Sequence, residues 1–194
     1  MKKTIISIII LCVVFFAFLY MNRGYYINEP YDYSIGLAVP NKVAKRMTTL
    51  ALLETFLSYP EPLLYTSSQF VNDYIDTLKK FDNYGLNELM SREDIVDALL
   101  VKYNELEVYT GEYHELDGSY KQKLTEYDAY RFMWIEFLAS QLNLEENSEL
   151  VSAIKSKHIL FYDNNGNRRE PYYPWYEFAL QNQEHQDFLQ HFSR

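Results

Sequence analysis

Cysteine occurs once in this chain, at position 12, inside an apolar run. Residues 22–194 therefore hold no disulfide and no thiolate, which removes cysteine nucleophiles and cysteine-ligated metals from that part. The lack suits either side of a membrane and is no argument for export. Positive charge is also scarce: 18 Lys and Arg stand against 27 Asp and Glu, a net charge of −9. Setting aside Lys2, Lys3 and Arg23, which flank the apolar run with no acid among them, takes the remainder from −9 to −12. Such a surface repels phosphate backbones and anionic lipid heads, which excludes nucleic acid as the expected partner and leaves room for cations or basic peptides. Catalytic signatures are missing too. There is no P-loop, G-x-G-x-x-G, G-x-S-x-G or HExxH, and no Ser-x-x-Lys with its supporting motifs. A serine nucleophile with partners distant in sequence is untouched by this search.

What is present begins at the N-terminus. Residues 4–21 are apolar and uncharged. Eighteen residues at about 1.5 Å each give roughly 27 Å, close to the hydrocarbon thickness of a bilayer. A helix apolar on every face has lipid as its natural solvent. Two lysines and the amino terminus precede the run and Arg23 alone follows it. The positive-inside tendency thus places the N-terminus in the cytoplasm and the rest outside. The alternative is a secretory signal cleaved to release the domain, but no small-residue pair of the A-x-A kind follows the run. A lipoprotein signal at Cys12 fits poorly, because Leu11 precedes it and more apolar sequence follows. The expected organisation is a signal-anchor over residues 1–23, a tether over 24–40 with Pro30, Gly36 and Pro40, and one domain over 41–194.

The fold expected for that domain is mainly α: a compact bundle of five to six helices with one small β-hairpin near the C-terminus. Asn41 is read as the cap of a helix through about residue 59, with Val43, Met47, Leu50, Leu53 and Leu57 on one face. Tyr59 and Pro60 stop it. A second helix covers about 66–81. A third is expected to start at the capping-box-like Ser91 to Asp94 and to run through about Leu106. Residues 107–122 read as a polar connection. A fourth helix, about 124–142, has an all-round apolar middle and belongs at the centre. Asn147 or Ser148 caps a fifth, through about Lys157. Then Ile159 to Tyr162 reads as a strand, Asn165-Gly166 as a hairpin turn, residues 168–173 as the return arm, and 174–192 as a last helix. A two-stranded hairpin is marginal alone and must lean on the helices.

Candidate chemistry is thin. The turn from Asp163 misplaces the glycine and terminal acid of an EF-hand, so no calcium loop is expected. His185 and His191 are six apart, about 600° around a helix, and converge on nothing. His114 and His158 stand alone, and neither a metal site nor a cofactor is expected. Glu54 and Arg131 each fall on a packing face, which suggests a buried or half-buried ion pair. Arginines beside aromatics dominate binding hot spots. Arg168, Arg169, Tyr172, Tyr173 and Trp175 are therefore the candidate ligand-binding patch. The expected function is a bacterial, single-pass, non-enzymatic binding module facing an envelope protein, a peptide or a glycan. Two alternatives stand beside it: a wall- or glycan-acting hydrolase using paired carboxylates, and a membrane-tethered immunity or sensor protein.

Overall fold

The computed structural model describes residues 26–32, 39–58, 85–170 and 186–188. The anchor, the helix expected over 66–81, and Tyr172, Tyr173 and Trp175 lie outside the described residues. Helices dominate the described part: α1 Asn41–Ala44, α2 Thr49–Leu57, α3 Leu86–Met90, α4 Ile95–Glu105, α5 Gly118–Gln122, α6 Ala129–Ser140 and α7 Glu149–Leu160. A short 3-10 turn, Tyr113–Glu115, precedes α5, and a π-helical segment, Lys123–Asp128, joins α5 to α6. No described helix is long and apolar enough to cross a membrane.

The single helix expected from Asn41 is two helices. Ile27 pairs with Met47 in an isolated parallel bridge: its N–H donates to the Arg46 carbonyl at 2.7 Å, and its carbonyl accepts from the Thr48 N–H at 2.9 Å. Those bonds take groups that a continuous helix would need. The Arg92 guanidinium closes the end of α1 by donating to the Ala44 carbonyl at 3.1 Å. Thr48, not Asn41, supplies a side-chain cap, its hydroxyl accepting from the Ala51 N–H at 3.3 Å. Restarting the helix changes its phase, so Leu50 faces solvent while Leu52, Leu53, Phe56 and Leu57 are buried.

Gly85 adopts φ +69°, and a Cβ there would lie 2.9 Å from a Leu52 methyl, so only glycine permits this return toward α2. The capping box expected at Ser91 does not form. The Ser91 hydroxyl donates back to the Glu88 carbonyl, ending α3, and Asp94 occupies the position before α4. The Asp94 carboxylate accepts from the Thr49 hydroxyl at 2.6 Å, tying α4 to α2.

Helix α6 holds the central place expected of it. Every residue from Ala129 to Ala139 is buried. Trp134 meets Phe56 and Phe137 edge-on, with ring centroids 5.1 and 5.4 Å apart. Burying one such large side chain contributes roughly 1.5–3 kcal/mol. Helix α4 packs against α2, α6 and α7, and so brings residues distant in sequence to one side of α6.

The C-terminal expectation needs correction. Ser148 caps α7 as expected, but the helix continues through Leu160, so residues 159 and 160 are its last turn and no strand. Periodicity alone does not separate a short apolar run from a helical segment. Here the buried positions 154, 158 and 161 keep helical spacing, leaving Ile159 75 % exposed. Among the described residues the hairpin reduces to a turn closed by one antiparallel bridge, Tyr162 with Arg168. The Asp163 carboxylate organises that turn, accepting from the N–H groups of Asn165 and Asn167 at 2.8 Å each, with Gly166 at φ +78°.

Candidate functional site

Three polar assemblies among the described residues bear on function, and two of them lie within the packed helices. The first is the pair anticipated between Glu54 and Arg131. The guanidinium of Arg131 on α6 donates through both terminal nitrogens to the Glu54 carboxylate on α2, one of these bonds spanning 3.1 Å. It also donates to the Ser58 hydroxyl at 3.2 Å and stacks on the Tyr127 ring, 4.6 Å from its centroid. Lys102 on α4 adds an ammonium 3.3 Å from the same carboxylate. Burial works against the charged form of Glu54. The hydrogen bonds and charge of Arg131, helped by Ser58 and Lys102, outweigh it and hold the carboxyl below its ordinary range.

The second assembly was not legible in the sequence. Glu136, in the middle of the apolar stretch of α6, accepts from the Tyr103 hydroxyl at 2.8 Å and lies 3.0 Å from His158 Nε2. All three side chains are buried. Burial first, then the charge and hydrogen bond of Glu136, push the Tyr103 phenol well above its ordinary range, so it stays a donor. Beside it Lys157 crosses the faces of Tyr103 and Phe132 and donates to the carbonyls of Tyr103 and Leu106, capping the end of α4.

That cap shapes the third assembly, which is open. Past Leu106 the chain runs extended, and Glu105 to Gly111 form one wall of a cleft of about 290 Å³; Tyr120, Lys123, Leu124 and Asp128 form the other. Leu124 is buried at its base. Tyr109 and Tyr120 meet edge-on with centroids 6.0 Å apart. A Cβ on Gly111 would reach within 2.8 Å of the Tyr109 ring, so glycine lets that ring lie against the backbone. The π segment sets the far wall. In an α-helix residues five apart are separated by about 140° around the axis, whereas the i to i+5 repeat of a π-helix stacks them. Lys123 and Asp128 are five apart and form an ion pair at 3.6 Å. Burial pushes the Asp128 carboxyl above its ordinary range; Lys123 opposes this and the charge of Glu107 adds to it.

Of the candidate patch, the described members are Arg168 and Arg169. Arg168 lies on the Tyr162 ring and donates to its hydroxyl at 2.7 Å. Arg169 donates to the Leu160 carbonyl at 3.0 Å and to the Thr110 carbonyl at 2.9 Å. Arg169 thus fastens the turn to the rim of the cleft. The cleft itself falls in the stretch read as a connection, and a π segment has no residue signature. The one available hint was the density of tyrosine and acid in residues 105–128. Among the described residues no three His, Cys, Asp or Glu side chains gather as a metal-binding group. No protein-family model matches the chain, and neither curated proteins nor solved structures yield a match.

Proposed function

We propose that this chain is a single-pass membrane protein, anchored through residues 4–21, whose helical domain stands outside the membrane as a non-enzymatic binding module. Its ligand seat is the cleft between residues 105–111 and the π segment. The observation that carries the reading is the contrast in exposure: Tyr103, Glu136 and His158 are buried together, while Tyr120 and Glu107 are exposed on a concave surface with Asp128 partly buried beside them. Concave surfaces with a few convergent polar groups are where ligands bind. Arg169 belongs to this site as its brace, with Arg168 beside it in the chain and Tyr172, Tyr173 and Trp175 following. Crosslinking and affinity recovery from membranes carrying the full-length protein, with surface protease in parallel, test the reading. A specific partner lost on Asp128→Asn, with the domain digested from outside, supports it. A domain protected from protease overturns the topology.

One observation favours glycan hydrolysis as a second reading. Asp128 and Glu107 line one cleft, and burial raises the Asp128 carboxyl, as the acid of a carboxylate-dependent hydrolase requires. Turnover of a wall glycan that disappears in Asp128→Asn favours hydrolysis over binding.

A further inference from the structure

The cleft has an internal precedent for what it receives. Two guanidinium groups among the described residues lie on tyrosine rings. Arg131 lies on the Tyr127 ring at 4.6 Å with the Glu54 carboxylate at its edge, and Arg168 lies on the Tyr162 ring at 5.0 Å. A planar cation of this kind is recognised by an aromatic face together with a carboxylate fork. The cleft offers the same groups: the rings of Tyr109 and Tyr120, and the carboxylates of Glu105, Glu107 and Asp128. Glu105 is already paired with Lys102 at 2.9 Å, which leaves Asp128 and Glu107 as the acids for a ligand, with Lys123 the cation in the lining beside them. Lys123 is itself a guide to the site's preference, because its ammonium stands 3.6 Å from Asp128 and 5.8 Å from the centre of the Tyr120 ring. An ammonium carried on a half-exposed side chain is a loosely held cation, worth little in stability and readily displaced.

We infer that the cleft is a receptor for an arginine side chain presented by a peptide or protein, with the guanidinium on the tyrosine rings and its edge toward Asp128 and Glu107. The inference deepens the binding-module reading and rests on it. The volume suits one long side chain and not a folded ligand: about 290 Å³ stands at the lower limit of small-molecule pockets. The acidic sign of the chain, a net charge of −9, attracts such a partner. Lys123 becomes the resident competitor, displaced on binding.

The test uses the full-length protein in nanodiscs with tyrosine selectively labelled. The probe is acetyl-Gly-Arg-Gly-amide; the same peptide with citrulline, which keeps the shape and loses the charge, and free arginine are the comparisons. The expected result is saturable movement of the Tyr109 and Tyr120 ring resonances with the arginine peptide. Citrulline should bind at least about tenfold more weakly, as should Asp128→Asn, and Glu107→Gln somewhat less so. Lys123→Met should tighten binding about two- to fivefold, an effect that a merely structural role for Lys123 does not produce. Glu107 is exposed, so Glu107→Gln reports on binding even if Asp128→Asn disturbs folding. Equal binding of the citrulline peptide, or indifference to both acid substitutions, overturns the inference. Free arginine binding as tightly as the peptide overturns its peptide source. The two readings fail separately: a membrane-recovered partner that needs Asp128 while the arginine peptide does not bind removes the guanidinium alone. A partner indifferent to Asp128 and Glu107 removes the cleft as well.

Discussion

Two regions of this protein are built from the same residue types and end in opposite conditions. Around Glu136 a carboxylate, a tyrosine and a histidine lie in the buried interior, with the carboxylate bonded to both of the others. Around Asp128 a carboxylate, two tyrosines and a lysine lie at the surface of a cleft, with one long ion pair between them. The difference comes from the backbone that carries them. Glu136 stands on a helix buried on every side, so its partners must come from α4 and α7 or its burial is ruinous. Asp128 stands at the end of a π segment across the cleft from residues 105–111, and it is only partly buried there. Polar groups enclosed in a core specify a fold, and those along a concave surface retain the capacity to bind.

The sharpest way to break the comparison is at the closed end. Glu136→Ala strips the acceptor from the Tyr103 hydroxyl and the partner from His158, and leaves a void beside both. Buried pairs broken on one side cost about 3–5 kcal/mol, and urea denaturation of the protein should show a loss of that order. Replacing Tyr103 and His158 by phenylalanine together with Glu136→Leu should recover most of it, because the carboxylate, the phenol and the imidazole then leave together. Failure to recover would mean that the network sets the packing and does not merely fit within it.

The Glu54–Arg131 pair lies between the two extremes, with side chains 21 % and 10 % exposed. Partial exposure discounts its worth, so Arg131→Met should cost about 1–2 kcal/mol, less than the loss at Glu136. A double-mutant cycle with Glu54→Gln isolates the coupling. The same pair has a signature in pH. Because the folded carboxyl of Glu54 is held below its ordinary value of 4.5, its contribution is present above that pH and fades as pH falls through the folded value. The stability difference between wild type and Glu54→Gln should therefore narrow on acidification from pH 7. A difference that stays constant would show that the carboxylate acts by shape and not by charge.

These assemblies were unequally legible in the sequence. The Glu54–Arg131 pair was readable because each residue interrupts an apolar stripe at helical spacing, and a charge on a packing face needs a partner. The central position of α6 was readable from its all-round apolar middle. The break at residues 45–48 was not, because it is made by Ile27, distant in sequence, pairing with Met47. The strand expected at 159–162 failed on a different account: four apolar residues fit the end of a helix as well as a strand, and packing of His158 and Phe161 decided it. Glu136 gave no sign of its partners, since neither Tyr103 nor His158 is near it in sequence. The cleft was hidden because it depends on a change of helical repeat at Lys123–Asp128, which carries no composition of its own.

Asp128→Asn gives the smallest effect and separates the two regions most cleanly. The folded state raises this carboxyl above its ordinary value, chiefly through burial. A raised carboxyl favours folding at low pH, where it is protonated in both states or in the folded one first, and the advantage is lost as pH rises through the folded value. At pH 7 the ionised group is thus a mild burden on stability, only partly relieved by Lys123 at 3.6 Å. Removing the charge should leave the unfolding free energy at pH 7 unchanged or slightly raised, by about 0.5 kcal/mol or less, since the lost ion pair with Lys123 offsets part of the relieved burial cost. At pH 4 the variant should lose even that margin. The same substitution is expected to abolish tight binding in the cleft, so stability and binding move independently at Asp128. At Glu136 they do not separate, because the residue holds together the helices on which the cleft is built. A destabilised Asp128→Asn would instead make the Lys123–Asp128 pair a strut of the π segment, and the cleft a product of that strut.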